Sequence, residues 1–140
     1  MLDVVPHLTP RDAALLGRLG LRLVYSAGDV LYRAGAELEA LLIVHRGTVR
    51  LQLGEGTDAE PLLWLPAPGI VGEGLLFDAG AASLTAVAET EIAADVVDRR
   101  VLAELLGTRR ALRERLLLSC GRLLHLRLEL VARAVGGYRA

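Results

Sequence analysis

The stretch that decides the fold reads LLIVHRGTVRLQL, residues 41–53. It begins with an apolar run at 41–44, passes through Arg46-Gly47, and then alternates apolar and polar residues over 49–53. Apolar side chains two residues apart share one face of a β-strand, and a glycine between such runs is typical of a turn. The stretch therefore predicts two strands separated by a turn.

Further short apolar runs lie on both sides of this pair. Turn residues such as Ala27-Gly28-Asp29 and Pro68-Gly69 separate them. Short strands at intervals of roughly 8–12 residues are typical of an antiparallel β-barrel or sandwich. We predict the additional strands at 21–25, 30–32, 62–65, 84–88 and 92–97.

Helical signals flank the strand-rich part of the chain. Thr9 is a good N-cap, Pro10 suits the first helical position, Asp12 suits a capping carboxylate, and Gly20 ends the helix. At the other end Asp98 is the predicted N-cap of a short helix. The fold class is therefore mainly β with flanking helices, and we expect one domain over 1–140, with the barrel at about 21–98 and C-terminal helices at about 98–135.

A long helix is predicted after a break at Gly107-Thr108, because 109–134 has no proline and one glycine, Gly121. It would measure about 38 Å. Its apolar residues fall into two stripes, which predicts two packing partners, the barrel and a second copy of the helix in a homodimer. The alternative is that both stripes are buried within one chain. The stripes are Leu117, Cys120, Leu124, Leu128, Val131 and Val135, and Leu116, Leu123, Leu126 and Leu130.

Charge and composition narrow the class of protein. Residues 51–98 carry nine acidic residues and no Arg or Lys, whereas 109–140 carry eight arginines and two acids. This asymmetry fits solvated faces of opposite sign, or a helix that supplies cations which the acidic segment lacks. One cysteine, no apolar run of membrane length and no signal peptide predict a cytoplasmic protein.

The spaced glycines carry a resemblance to a known family. They occur in SAGDVLYRAGA (26–36), LIVHRGTVRL (42–51), PGIVGE (68–73) and LFDAG (76–80). Together these stretches resemble the cyclic nucleotide-binding domain of the catabolite-activator family and its kinase and channel relatives, over nearly the whole chain. The resemblance implies a jelly-roll barrel followed by a dimerisation helix.

The resemblance also implies a ligand site, with cyclic AMP or another cyclic nucleotide as the ligand. Gly72 would let the backbone approach the ligand, the N–H groups of Gly74 and Leu75 would point at the cyclic phosphate, and Glu73 would accept a hydrogen bond from the ribose 2′-hydroxyl. A helix-capping carboxylate is the alternative for Glu73. Strand residues are expected to line an apolar pocket for the base, namely Leu62, Trp64, Val71 and Val87.

The chain departs from the family pattern at one position. The family has a phosphate-binding arginine about ten residues after the Glu, and here Ala82, or a neighbour such as Ser83, stands in its place. A charge-assisted hydrogen bond is worth ~1.5–3 kcal/mol, so its loss weakens anion binding roughly 10–200-fold. Arg127, which interrupts the apolar surface of the long helix, is the best candidate to replace it, ahead of Arg122; surface exposure is the alternative for both.

Two classes of function remain open. An intact Gly-Glu pair favours a small-molecule sensor, and the missing arginine favours a ligand-free adaptor that keeps the fold as a dimerisation and interaction platform. An enzyme is not expected, because Ser26 and Ser83 have no neighbouring base in the sequence. Only 135–140 follow the long helix, so we expect no recognition helix and no direct DNA binding.

A metal or haem site is not expected either. Two acid–histidine pairs have a four-residue spacing, Asp3 with His7 and His125 with Glu129, which is weak support for a metal site. Cys120 and His125 fit a packed core thiol and a surface imidazole better than haem ligands.

Overall fold

The computed structural model describes residues 8–54, 56–77 and 81–137. Three α-helices lie in this part of the chain: α1 (Pro10–Leu19), α2 (Arg99–Thr108) and α3 (Arg110–Gly137). Short 3-10 helices form at Gly56–Asp58 and at Glu73–Phe77, and we call the second one the cassette helix. The strands are β1 (Leu21–Tyr25), β2 (Val30–Tyr32), β3 (Ala40–Arg46), β4 (Thr48–Leu53), β5 (Glu60–Pro66), β6 (Gly69–Val71), β7 (Thr85–Ala88) and β8 (Ile92–Asp98).

The strands form two four-stranded antiparallel sheets, in the orders β1-β8-β3-β6 and β2-β7-β4-β5. This arrangement confirms the predicted antiparallel jelly roll with flanking helices. The predicted strands are all present, with end residues shifted by up to two positions. Only β6 was missed, because it has three residues and begins inside the predicted turn Pro68-Gly69.

Strand β3 separates two hydrophobic cores. Leu42 and Val44 point into the core between the sheets, while Leu41 and Ile43 point outward into a second core beneath the helices. Alternate side chains of a strand face opposite sides, so a strand buried on both faces is a continuous apolar run. The outward-facing residues Leu41 and Ile43 thus provide the apolar surface on which the helices pack, outside the sandwich.

Helix α1 begins as predicted. The Thr9 hydroxyl accepts from the Asp12 N–H at 3.1 Å, and the Asp12 carboxylate accepts from the Thr9 N–H at 3.0 Å. Two orphan backbone donors are satisfied in this capping box. The same carboxylate accepts two 2.7 Å hydrogen bonds from Arg115, so α3 is tied to the first turn of α1.

The break between the last two helices lies at Arg109 and not at Gly107-Thr108, which is the end of α2. Helix α3 has 28 residues and is therefore about 42 Å long. The predicted division of its apolar residues into two stripes is wrong, since the barrel side takes residues from both. Among the α3 residues whose burial the structure describes, the buried apolar ones are Leu112, Leu116, Cys120 and Leu123.

Several large apolar side chains of α3 stay exposed, on more than one side of the helix. They include Leu118, Leu124, Leu126, Leu128 and Leu130. The side chain of Val135, which belongs to one predicted stripe, lies outside the described residues. Within the described residues, no helix is long and apolar enough to cross a membrane.

Candidate functional site

The cassette begins where the edge strand β6 ends. Gly72 follows Val71 with φ +84°, a conformation that side chains other than glycine rarely adopt. A Cβ atom at this position would lie 2.7 Å from the carbonyl oxygen of Ala40. Glycine is therefore required both for the turn and for the close approach to the start of β3. The turn directs Glu73, the first residue of the cassette helix, towards α3.

A bidentate arginine joins α3 to this turn. The Arg127 guanidinium donates from Nη1 to Glu73 Oε1 at 2.7 Å and from Nη2 to the carbonyl oxygen of Ile70 at 2.6 Å. The two side chains are only 12% and 15% exposed. Arginine suits this task because its planar fork serves a carboxylate and a carbonyl at once. Arg127 thus lies at the cassette of its own chain, whereas Arg122 is exposed.

A cavity of about 380 Å³ opens between the cassette, the strands and α3. Of the seven residues that the sequence assigned to the ligand, six line it. Leu75 does not line it, and its N–H donates to the Gly72 carbonyl at 3.3 Å within the cassette helix. The six residues are Gly72, Glu73, Gly74, Ala82, Ser83 and Arg127.

The apolar wall of the cavity differs from the sequence expectation. Trp64 is 52% exposed, and none of the four residues expected to form the base pocket lines the cavity. Neighbouring Leu63 faces the cavity instead, because adjacent strand residues point to opposite faces. The expectation for Leu62, Trp64, Val71 and Val87 is therefore wrong. The lining residues that the sequence interpretation missed are Tyr32, Leu38, Leu51, Leu63, Phe77, Ala81, Leu84, Leu124, Leu128 and Val131.

The environment keeps two nearby groups neutral. Burial, reinforced by the Glu73 charge, raises the pKa of Tyr32 to about 12. The same two causes raise the pKa of the Cys120 thiol to about 12. Tyr32 therefore offers the cavity a neutral hydroxyl, and Cys120 is an unreactive core thiol.

A polar cluster outside the cavity was not predicted. Asp95 is buried and accepts from Arg22 Nε at 2.7 Å, and His45 Nε2 lies 2.6 Å from its other oxygen. Burial alone would raise the pKa of Asp95, but the hydrogen bonds from Arg22 and His45 outweigh it and lower that pKa. These partners come from β1, β3 and β8, so the cluster ties three strands together.

No group of three metal-ligating side chains occurs among the residues that the structure describes. His125 and Glu129 are exposed and 3.9 Å apart, as in a surface ion pair. Cys120 is fully buried in the core under α3. Asp3 and His7 lie outside the described residues.

Residues 22–109 match the protein family described as the cyclic nucleotide-binding domain. No curated protein sequence matches the chain significantly. Among solved structures, a cyclic nucleotide-binding domain from Methylobacillus flagellatus is similar at TM-score 0.81 and 20% identity, over 97% of this chain and 81% of that one.

Two regulators are also similar over much of their length. The c-di-GMP responsive global regulator CLP of Xanthomonas campestris superposes at TM-score 0.80 and 20% identity, over 91% of this chain and 63% of that chain. The catabolite activator protein of Thermus thermophilus superposes at TM-score 0.72 and 26% identity, over 92% and 62%. The chain therefore spans a little under two thirds of these two regulators.

Proposed function

The chain belongs to the cyclic nucleotide-binding domain family, and we propose that it is a cytoplasmic regulatory domain that senses a cyclic nucleotide or a related small molecule as a homodimer. The observation that carries the proposal is the cavity of about 380 Å³, whose lining comes from the cassette, the barrel and α3. A molecule in this cavity contacts the cassette, the barrel and α3 together, so its binding changes the position that α3 prefers. The family is regulatory, and we propose no enzymatic step.

The route from the cavity to a partner copy runs through α3. Leu124 and Leu128 line the cavity and are also exposed on the helix. With Leu117 and Gly121 they recur at steps of 4, 3 and 4, the spacing of a helix–helix seam. Pairing of two such faces around a two-fold axis would cover them. Ligand contact with Leu124 or Leu128 would then act directly on the dimer contact.

A second candidate is a ligand-free adaptor on the same fold. It is favoured by the degenerate cassette, in which Ala82 replaces the expected arginine, and by Arg127, which already binds Glu73 without a ligand. In this case the bond holds α3 permanently against the barrel, and the exposed leucines serve only dimerisation.

Thermal unfolding with candidate ligands separates the two. The panel contains cyclic AMP, cyclic GMP, cyclic di-GMP and the uncharged nucleosides adenosine and guanosine at millimolar concentration. A ligand at about 100 times its dissociation constant adds ~2.7 kcal/mol to the free energy of unfolding. We expect at least one compound to raise the unfolding temperature, and Glu73→Ala to change that shift. If no compound acts on a protein that is dimeric, the adaptor is the better description.

The dimer is tested independently by sedimentation. Gly121 is exposed, and a Cβ atom there meets nothing within 4 Å in the chain. Gly121→Arg should therefore leave the protomer folded but place a charge in the proposed seam, so we expect monomers. Gly107→Arg is the matched control, because Gly107 is also an exposed helical glycine with open space around it, on α2. Dimers that persist in Gly121→Arg contradict the proposed interface.

A further inference from the structure

We propose that the cavity beneath α3 takes an uncharged, largely apolar small molecule and selects against anions, including the phosphate of a cyclic nucleotide. This inference rests on the proposed function, because it names the ligand class of the same cavity. It follows from the charge balance of the lining, the backbone donors already in use there, and the apolar side chains that surround them.

The charge balance leaves no cation for an anionic ligand. Among the described lining residues, Glu73 and Arg127 are the ionised ones, and they bind each other. The Ile70 carbonyl holds a second N–H of the same guanidinium. An anion that recruits Arg127 has to break these contacts and leave the largely buried Glu73 carboxylate without its partner, which is strongly unfavourable. An uncharged ligand leaves the pair intact.

Two backbone donors near the position of the missing cation are already in use. The N–H of Leu75 donates to Gly72, and the N–H of Ala82 donates to the Ala36 carbonyl at 3.0 Å. The Ala82 carbonyl in turn accepts from Gly35 at 2.8 Å. The backbone at the position of the family's arginine is therefore committed to the loop before β3, and the side chain there is a buried methyl group.

The remaining surface favours an apolar body with few polar groups. Leucines from the segment before β3, the β4–β5 pair, the segment before β7 and α3 surround the space, together with Phe77. Neutral hydroxyls come from Tyr32 and Ser83. Small-molecule sites of this kind bind an apolar ligand body and orient it by a small number of hydrogen bonds. The volume of about 380 Å³ is in the lower part of the range for such sites.

Matched pairs of probes that differ in charge test the inference. Adenosine is compared with cyclic AMP, and indole with indole-3-carboxylate, by methyl NMR titration that follows Leu124 and Leu128. We expect the uncharged member of each pair to bind at least about tenfold more tightly, which corresponds to ~1.4 kcal/mol. Shifts of the methyl signals of these two leucines distinguish cavity binding from binding elsewhere.

Charge variants then test the cause. Glu73→Gln removes the charge that neutralises Arg127 and should raise the affinity for cyclic AMP relative to adenosine. Ser83→Arg places a cation at the exposed rim of the cavity and should act in the same direction, whereas Ser83→Gln should not. Glu91→Gln is the control, because it removes a carboxylate from the surface pair with Arg46 and should leave the preference unchanged.

The outcomes separate the two proposals. Tighter binding of cyclic AMP or indole-3-carboxylate to the unaltered protein overturns the inference and leaves the sensor function in place. Binding of neither uncharged probe also overturns the inference. If, in addition, no compound of the nucleotide panel stabilises the protein, the sensor function fails with it.

Discussion

The Arg127 guanidinium and the Glu73 carboxylate meet at 2.7 Å across 54 positions of sequence. This contact attaches α3 to the cassette. Nearer the start of the same helix, Arg115 attaches α3 to α1. The acidic cassette and the basic helix are therefore joined by an ion pair between Glu73 and Arg127.

Removal of either partner should destabilise the protein. Arg127→Leu leaves Glu73 charged and largely buried, and Glu73→Gln leaves the arginine uncompensated. We expect each single change to lower the free energy of unfolding by about 2–3 kcal/mol, somewhat less than for a fully buried pair. The double variant should cost less than the sum, since it leaves no unpaired charge. Urea unfolding of the four proteins measures this coupling.

The control for this cycle lies on the same helix. Arg110 and Glu114 form an exposed i,i+4 pair at 3.3 Å. Pairs of this type contribute little in water. Arg110→Leu should therefore leave the unfolding midpoint unchanged within error. A loss as large as that of Arg127→Leu would mean that the cost comes from the helix itself and not from the cassette contact.

Gly72→Ala should disturb the cassette more than a comparable change elsewhere. A side chain there has an unfavourable φ and a Cβ contact of 2.7 Å with a backbone oxygen. Gly28 has a similar φ of +93° but open space around it. Gly28→Ala should cost about 1 kcal/mol for strain alone, and Gly72→Ala about 2–3 kcal/mol because of the added clash. Equal losses would show that the close approach to Ala40 is unimportant.

The outline of the fold could be predicted from the sequence because the patterns that indicate it are local. The capping box at Thr9, the run at 41–44 and the alternation over 49–53 each depend on neighbours a few residues apart. Arg127 was also identified from local context, as a charge that interrupts an apolar helix surface. Its partner in β6, the Ile70 carbonyl, carries no sequence signal.

The residues that line the cavity could not be identified from the sequence, because they depend on the tertiary structure. Alternation along β5 places Leu63 and Trp64 on opposite faces, but the packing of the sandwich decides which of the two faces borders the cavity. The predicted division of the apolar residues of α3 into two stripes was wrong because the shape of the sandwich decides which side of the helix is buried. Leu116 and Cys120 belonged to different predicted stripes and are both buried.

Cys120 should report the docking of α3. It is the only cysteine in the sequence, its side chain is fully buried, and burial raises its pKa to about 12. Alkylation by iodoacetamide at pH 8 should be at least roughly 100-fold slower than in urea-unfolded protein, because the thiol reacts only when the helix opens. Arg127→Leu should raise the rate, whereas Arg110→Leu should not. Alkylation of the unaltered protein at the unfolded rate would contradict a docked helix.

Acid should weaken the attachment of α1 to α3 through Asp12. The hydrogen bond from Arg115, together with those from Thr9, outweighs burial and lowers the pKa of Asp12 from 3.8 to about 2. A carboxylate whose pKa is lower in the folded state stabilises that state fully above its unfolded pKa, and this stabilisation is lost as the pH falls through the folded pKa. Unfolding measured from pH 6 to pH 2 should therefore show a loss of stability below about pH 4 that is smaller in Asp12→Asn.

The control for this titration is a carboxylate that is not bound by Arg115 and Thr9. Asp58 is exposed in the first 3-10 helix, so Asp58→Asn should keep the full acid dependence of the unaltered protein. Asp12→Asn should also be less stable at pH 6, because Arg115 and the Thr9 N–H lose their charged acceptor. If the two variants have the same pH profile, the acid dependence arises elsewhere, and the buried Asp95 between Arg22 and His45, whose pKa is also lowered, is the next carboxylate to substitute.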